Sequence, residues 1–158
     1  MTRLRGRAPR GQRVIDYVPA GCWHTTTMLA ALRIDRVEAP LVIDGSMDSL
    51  VFKGYVEQML VKTLHRGDVV VMDNLSPHKC AGVQEAIEAV GASVRYLPPY
   101  SPDFTPIEPM WSKVKQSLRS AAARTPEELL TAIGDALRGV TTQDCRGLFK
   151  GYGYSATQ

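Results

Sequence analysis

Two acids, Asp73 and Glu108, stand where carboxylates can do chemistry, with 34 residues between them. Asp73 ends Val69-Val70-Val71-Met72, an unbroken apolar run of the kind that forms a strand buried on both faces. Glu108 follows a turn rich in proline, tyrosine and serine, at the start of an expected helix. Acids at a strand end and a helix start can converge at one sheet edge and share a divalent metal ion. Magnesium suits such a pair, since it takes hard oxygen ligands and keeps several of its waters. Each acid also has a purely structural reading. Asp73 can close an Asx turn, and Thr105-Pro106-Ile107-Glu108 has the form of a capping box. Pro109 weighs against the box, because proline at the fourth helical position removes the first intrahelical hydrogen bond.

Hydrophobic patterning shows which elements must hold these acids. Residues 13–18 and 23–32 read as strands joined by a turn at 19–21, and 39–43 as a third extended piece, giving a hairpin plus a neighbouring strand. From Ser49 to Leu64 the apolar residues recur at helical spacing, and His65-Arg66-Gly67 fits a helix end. After the strand at 69–72, Ser76-Pro77 predicts a helix start, with Val83, Ile87 and Val90 inward and Gly91 as the stop. Residues 93–97 form the next strand, so strand–helix–strand alternation points to an α/β sheet with a crossover connection. A helix is expected from Pro106 to about Ser120, placing Glu108, Trp111, Lys115 and Arg119 on one side. Thr125-Pro126-Glu127-Glu128 predicts another helix start, with Leu129, Leu130, Ile133 and Leu137 buried. The tail from Phe149 to Tyr154 shows no usable period.

The bulk numbers narrow the function class. A chain of 158 residues with 44% apolar and 22% charged content suits one globular domain with a substantial core. Net charge is only +3, yet Arg3, Arg5, Arg7, Arg10 and Arg13 fall in the first thirteen residues without an acid among them. Such an arm can contact phosphates or be a solvated terminus. Lys115 and Arg119 put two cations beyond Glu108 on one face of its helix, which could track DNA phosphates or be a solvated helix edge, and Lys113 is a further candidate DNA contact. Cys22, Cys80 and Cys145 lack metal-site or disulfide spacing and suit a reducing cytosol. No signal peptide or bilayer-length apolar stretch is read, so the expectation is a cytoplasmic, nucleoid-associated protein with no membrane partner.

At its acids the sequence resembles a known family. Asp73-Asn74 after an apolar strand, then Tyr100-Ser101-Pro102-Asp103-Phe104-Thr105-Pro106-Ile107-Glu108-Pro109-Met110-Trp111, is similar to the DDE transposases. Within them it resembles the bacterial insertion-sequence relatives of the mariner elements, and the similarity runs from the Arg5-Gly6-Arg7-Ala8-Pro9-Arg10-Gly11 stretch onward. Thr105 stands where these relatives usually have Asn.

The resemblance implies a ribonuclease H-like α/β fold, a mixed sheet flanked by helices, with residues 1–158 as a single, partial DDE catalytic domain and 1–13 as its basic arm. It implies a Mg²⁺- or Mn²⁺-dependent endonuclease and strand transferase acting in DNA transposition. Asp73 and Glu108 would be catalytic metal ligands, and transposon ends and target DNA the partners, alongside a homodimer or intact transposase. It further implies a first catalytic Asp on an opening strand just before the arginine-rich stretch. Nothing from Met1 onward matches that strand; Asp16, Asp35, Asp44, Asp48 and Asp68 all lie downstream, with Asp44 the least poor substitute. The expectation is therefore a truncated fragment, inactive and marginally folded alone. Its origin is left open among a decayed copy, a misassigned start and one frame of a frameshifted element. The alternative is a non-enzymatic DNA-binding or interaction fragment that modulates intact transposase.

Overall fold

The computed structural model describes residues 6–15, 17, 24–99, 101 and 104–154. Its first element is an antiparallel hairpin, β1 (Thr26–Leu32) on β2 (Val37–Asp44), with Thr26 opposite Asp44 and Leu32 opposite Val37. The register slips between Leu29 and Ala31, where Ala39 takes a positive φ of 47° just before Pro40. Proline has no N–H to offer a ladder, so it sits at a bulge on an edge strand. The hairpin therefore uses 26–32 and 37–44, not 13–18 and 23–32. Residues 13–15 carry no strand, and the expected turn at 19–21 lies outside the described residues, as do Arg3 and Arg5.

Asp48 caps α1 (Ser49–Gln58) by accepting a hydrogen bond from the Val51 amide at 2.8 Å. The helix buries Phe52, Tyr55 and Val56, then tightens into a 3₁₀ turn at Leu60–Lys62 instead of continuing to residue 64. β3 (Val69–Met72) and β4 (Ser93–Tyr96) pair in parallel, with Val69 opposite Ser93 and Met72 opposite Tyr96. Their crossover is broken where a single helix was expected: a 3₁₀ turn at Ser76–Lys79 precedes α2 (Val83–Ala89). Gly82 between them has φ +94°, a conformation glycine alone adopts freely, so the chain redirects there before the helix begins. Val90, expected inside, is partly exposed at the helix end.

Three helices complete the chain: α3 (Ile107–Ala121), α4 (Pro126–Arg138) and α5 (Thr142–Gly151). The capping box of α4 forms as expected between Thr125 and Glu128, but Leu130 faces solvent and Ala136 is buried instead. α5 went unread; its signal is Thr141-Thr142-Gln143-Asp144, a capping box with Asp in place of Glu.

Among the described residues the strands form two two-stranded sheets, β1–β2 and β3–β4, where one mixed sheet was expected. Two apolar clusters flank them. One joins α1, α2 and β4 around Phe52, Val56, Val83 and Ile87; the other joins α3, α4 and α5 around Met110, Val114, Ile133 and Cys145. β1 serves both, with Leu29 and Ala31 packed on the first and Met28 and Leu32 on the second. β3 serves one, through Val70 and Met72, while Val69 and Val71 stay exposed. No helix among the described residues is long and apolar enough to cross a membrane.

Candidate active site

Asp73 leaves β3 where the strand leaves the core, and its side chain is about half exposed, at 47%. Oδ1 closes an Asx turn by accepting the Leu75 amide at 3.1 Å, so the structural reading of this acid holds as well. The same oxygen lies 2.6 Å from His78 Nδ1. A carboxylate only accepts, so Nδ1 carries the proton of that hydrogen bond. The His78 ring packs on Phe52 at 4.3 Å between centroids, and its backbone carbonyl accepts the Tyr96 hydroxyl at 3.1 Å. His78 is thus a held residue. The 3₁₀ turn created by Ser76-Pro77 aims it back at Asp73. Oδ2 of Asp73 has no hydrogen bond among the described residues.

Glu108 lies in the first turn of α3. The Thr105 capping box does not form, for the helix begins one residue later and Pro106 occupies the cap without a side-chain bond. This shift moves Pro109 into the first turn, where a missing N–H costs nothing. Glu108 is left exposed and without a hydrogen bond or ion pair among the described residues, at the positive end of a helix dipole.

Both acids line one cavity of about 640 Å³ that runs between the two halves of the sheet. Its walls are largely apolar, including Phe52, Ile107 and Trp111. Trp111 is packed against the α3–α5 cluster. The tail reaches this cavity too. Tyr154 donates its hydroxyl to the Phe104 carbonyl at 2.9 Å and meets Phe149 edge to face, so the chain's end braces the segment leading to Glu108. No period in the tail sequence signalled that contact.

At the other end of the cavity Arg33 forks onto Asp68, with Nη1 to Oδ2 at 2.7 Å and Nη2 to Oδ1 at 3.0 Å. That guanidinium, with the His65 amide, pulls the Asp68 carboxyl down to about 2. The Arg33 guanidinium is raised in turn, chiefly by Asp68.

The donor set at Asp73 and Glu108 is all oxygen, which fits a hard cation such as Mg²⁺. The neighbouring Asn74 does not line the cavity, and its buried Oδ1 has no hydrogen-bond partner among the described residues. Among the described residues no group of three or more His, Cys, Asp or Glu converges on a metal position. Asp44 ends β2 and does not line the cavity. Of the expected DNA contacts, Arg7, Arg10, Arg13 and Lys115 are exposed, and Arg119 is half-buried. Lys113 is instead engaged by Asp144, tying α3 to α5 and, with Thr141, holding the Asp144 carboxyl near about 2.

The family model described as DDE superfamily endonuclease matches residues 1–130. No curated protein matches the chain.

Proposed function

The chain belongs to the DDE superfamily endonuclease family, and from that premise we propose that it is the catalytic part of an insertion-sequence transposase related to mariner elements. Its reaction is DNA strand cleavage and transfer at transposon ends. The observation that carries this reading is that Asp73 and Glu108, far apart in sequence and neither matched by a Lys or Arg among the described residues, line one cavity. Mg²⁺ or Mn²⁺ bound there supplies an activated water or 3′-hydroxyl and stabilises the leaving oxygen. Asp73 offers Oδ2 while His78 and the Leu75 amide fix Oδ1. Glu108 offers a carboxylate with no hydrogen bond or ion pair among the described residues. Lys115 and the arginines at 7, 10 and 13 hold the DNA phosphates in a salt-dependent, sequence-independent way.

Among the described residues no third carboxylate joins this pair, and we expect cleavage of element-end DNA to be negligible without one. The same shortage favours a second reading, a DNA-binding or interaction fragment that modulates intact transposase. One experiment separates the two. A chain extended upstream by an apolar strand ending in Asp is assayed on element-end DNA with Mg²⁺. Cleavage that Asp73→Ala or Glu108→Ala abolishes supports the nuclease; cleavage surviving Asp73→Ala would sink the site. Absence of cleavage by the extended chain, with DNA binding retained, supports the second reading.

A further inference from the structure

Helices α1, α4 and α5 each begin at a side chain that accepts an amide of the first turn: Asp48, Thr125 and Thr141. α3, which carries Glu108, begins at Pro106 with no such cap. The Glu108 carboxylate has no hydrogen bond or ion pair among the described residues, so its place is set by its backbone. Just before the helix, the Phe104 N–H turns back to the Ser101 carbonyl at 3.3 Å. Among the described residues, the one hydrogen bond that ties 104–106 to another part of the fold comes from the Tyr154 hydroxyl to the Phe104 carbonyl, at 2.9 Å.

The end of α5 holds that phenol in one place. Gly153, at φ +79°, donates its N–H to the Lys150 carbonyl at 3.1 Å, and Tyr154 donates its own to the Phe149 carbonyl at 3.0 Å. These are the two bonds of a Schellman motif, with glycine at the left-handed position. The apolar contact that accompanies the motif is the edge-to-face pair of Tyr154 with Phe149, 5.8 Å between centroids. Both residues line the cavity beside Thr105, Pro106 and Glu108. α5 itself is fixed to α3 through Cys145, wholly buried, and Leu148, in the cluster with Met110 and Val114. At its start Asp144 engages Lys113. The two helices therefore run in opposite directions, and Glu108 lies between a tie at residue 113 and another at residue 104. All of α5 lies beyond the span 1–130 that the family model matches.

We propose that Tyr154 is a positioning residue for Glu108: through the Phe104 carbonyl it fixes the start of α3, and with it the point from which the carboxylate reaches a divalent cation. This role rests on the nuclease reading above, in which Glu108 holds the metal ion. Gly153 turns the chain, Phe149 seats the ring, and the hydroxyl grips the segment that leads into α3. A remote hold of this kind has a chemical advantage over a local one. In a capping box at Thr105 the Glu108 side chain would reach back to an amide and be engaged there. Held by its backbone instead, the helix start is fixed while the carboxylate stays free for the ion.

The test uses residues 1–158 and Tb³⁺, a hard cation whose luminescence Trp111, lining the same cavity, can sensitise. Glu108→Gln should remove most of the sensitised signal. Tyr154→Phe keeps the ring and loses only the hydroxyl. It should raise the Tb³⁺ concentration for half-saturation roughly three- to tenfold, less than the loss from a group bonded directly to a ligand. Gly153→Ala, strained at its positive φ, should act in the same direction. The double variant should do no more than the larger single one, since both work through one bond. Ile133→Val lowers stability from within α4 and should leave half-saturation unchanged. An unmoved half-saturation in Tyr154→Phe would overturn the positioning role and leave the nuclease reading standing. So would full additivity in the double variant, or an equal shift in Ile133→Val, which would make the effect one of stability. A signal indifferent to Glu108→Gln would overturn the metal assignment of Glu108 itself, and the positioning role with it.

Discussion

The cavity's two ends handle acids in opposite ways. At one end Asp68 is met by an arginine fork and a backbone amide, and Glu38 sits close to Arg33 and Arg36. At the other, Asp73 is oriented by His78 and an amide, and Glu108 by nothing among the described residues. Charge at the first end is matched by arginines, and at the second no Lys or Arg meets it among the described residues. Matched pairs near the surface contribute to stability; unmatched carboxylates at a cavity are where a cation or a reacting group is held. The difference predicts a double dissociation between stability and activity.

The largest effect belongs to the unmatched end. In a chain extended with the upstream strand, Asp73→Asn or Glu108→Gln should lower Mg²⁺-dependent cleavage at least a hundredfold. A metal-held transition state is worth several kcal/mol, at about 1.4 kcal/mol per tenfold in rate. Thermal stability should move by no more than about 1 kcal/mol, since each is exposed and the Asn retains the Leu75 turn bond. A large drop in melting temperature with unchanged cleavage would reverse the roles of the two ends. Next comes His78, a positioning residue for Asp73. His78→Ala should weaken the metal dependence of cleavage by about 10- to 100-fold, as losses of supporting hydrogen bonds do, read as a shift in the Mg²⁺ concentration for half-maximal rate. A fall in rate at saturating Mg²⁺ with no such shift would give His78 another task.

Asp68 tests the matched end. Asp68→Ala removes two charged hydrogen bonds from Arg33 and one from the His65 amide. It should cost about 2 kcal/mol, or roughly 4–8 °C in melting temperature for a chain of this size. Cleavage by the extended chain at a permissive temperature should stay within about threefold. A melting temperature unchanged by the substitution would mean the fork is no more than a surface pair.

What could be read from the sequence follows the range of the forces involved. β3, β4, α3 and α4 are dictated by local patterning and caps, and their bounds emerged within a residue or two. The hairpin was misplaced because residues 13–18 are β-prone in isolation, while the register is chosen by tertiary packing of both faces of β1. The break before α2 hinges on one glycine at φ +94°, and composition does not reveal which glycine takes that conformation. Asp73 and Glu108 were legible as candidates by type and by resemblance. The His78 contact was not, for it depends on a 3₁₀ turn folding back over five residues. Nor was the Tyr154 brace, which joins residues 50 apart.

The smallest effect concerns pH and sharpens the contrast at Asp68. Its carboxyl falls to about 2 when folded, chiefly through the Arg33 hydrogen bonds, against an ordinary value of about 3.9 in an unfolded chain. Below the folded value both states hold the proton, and above the unfolded value neither does. Between them the unfolded chain binds more protons, so the stability due to the fork is complete above about pH 4 and disappears as pH falls toward 2. Melting curves across that window should therefore show a steeper acid loss for the native chain than for Asp68→Asn, with the two converging near pH 2. The gap at neutral pH should be at most about 2 kcal/mol, since the pair is partly solvated. Parallel curves over the whole window would show that Arg33 does not favour the ionised Asp68. The matched end of the cavity would then lose its distinction from the unmatched one.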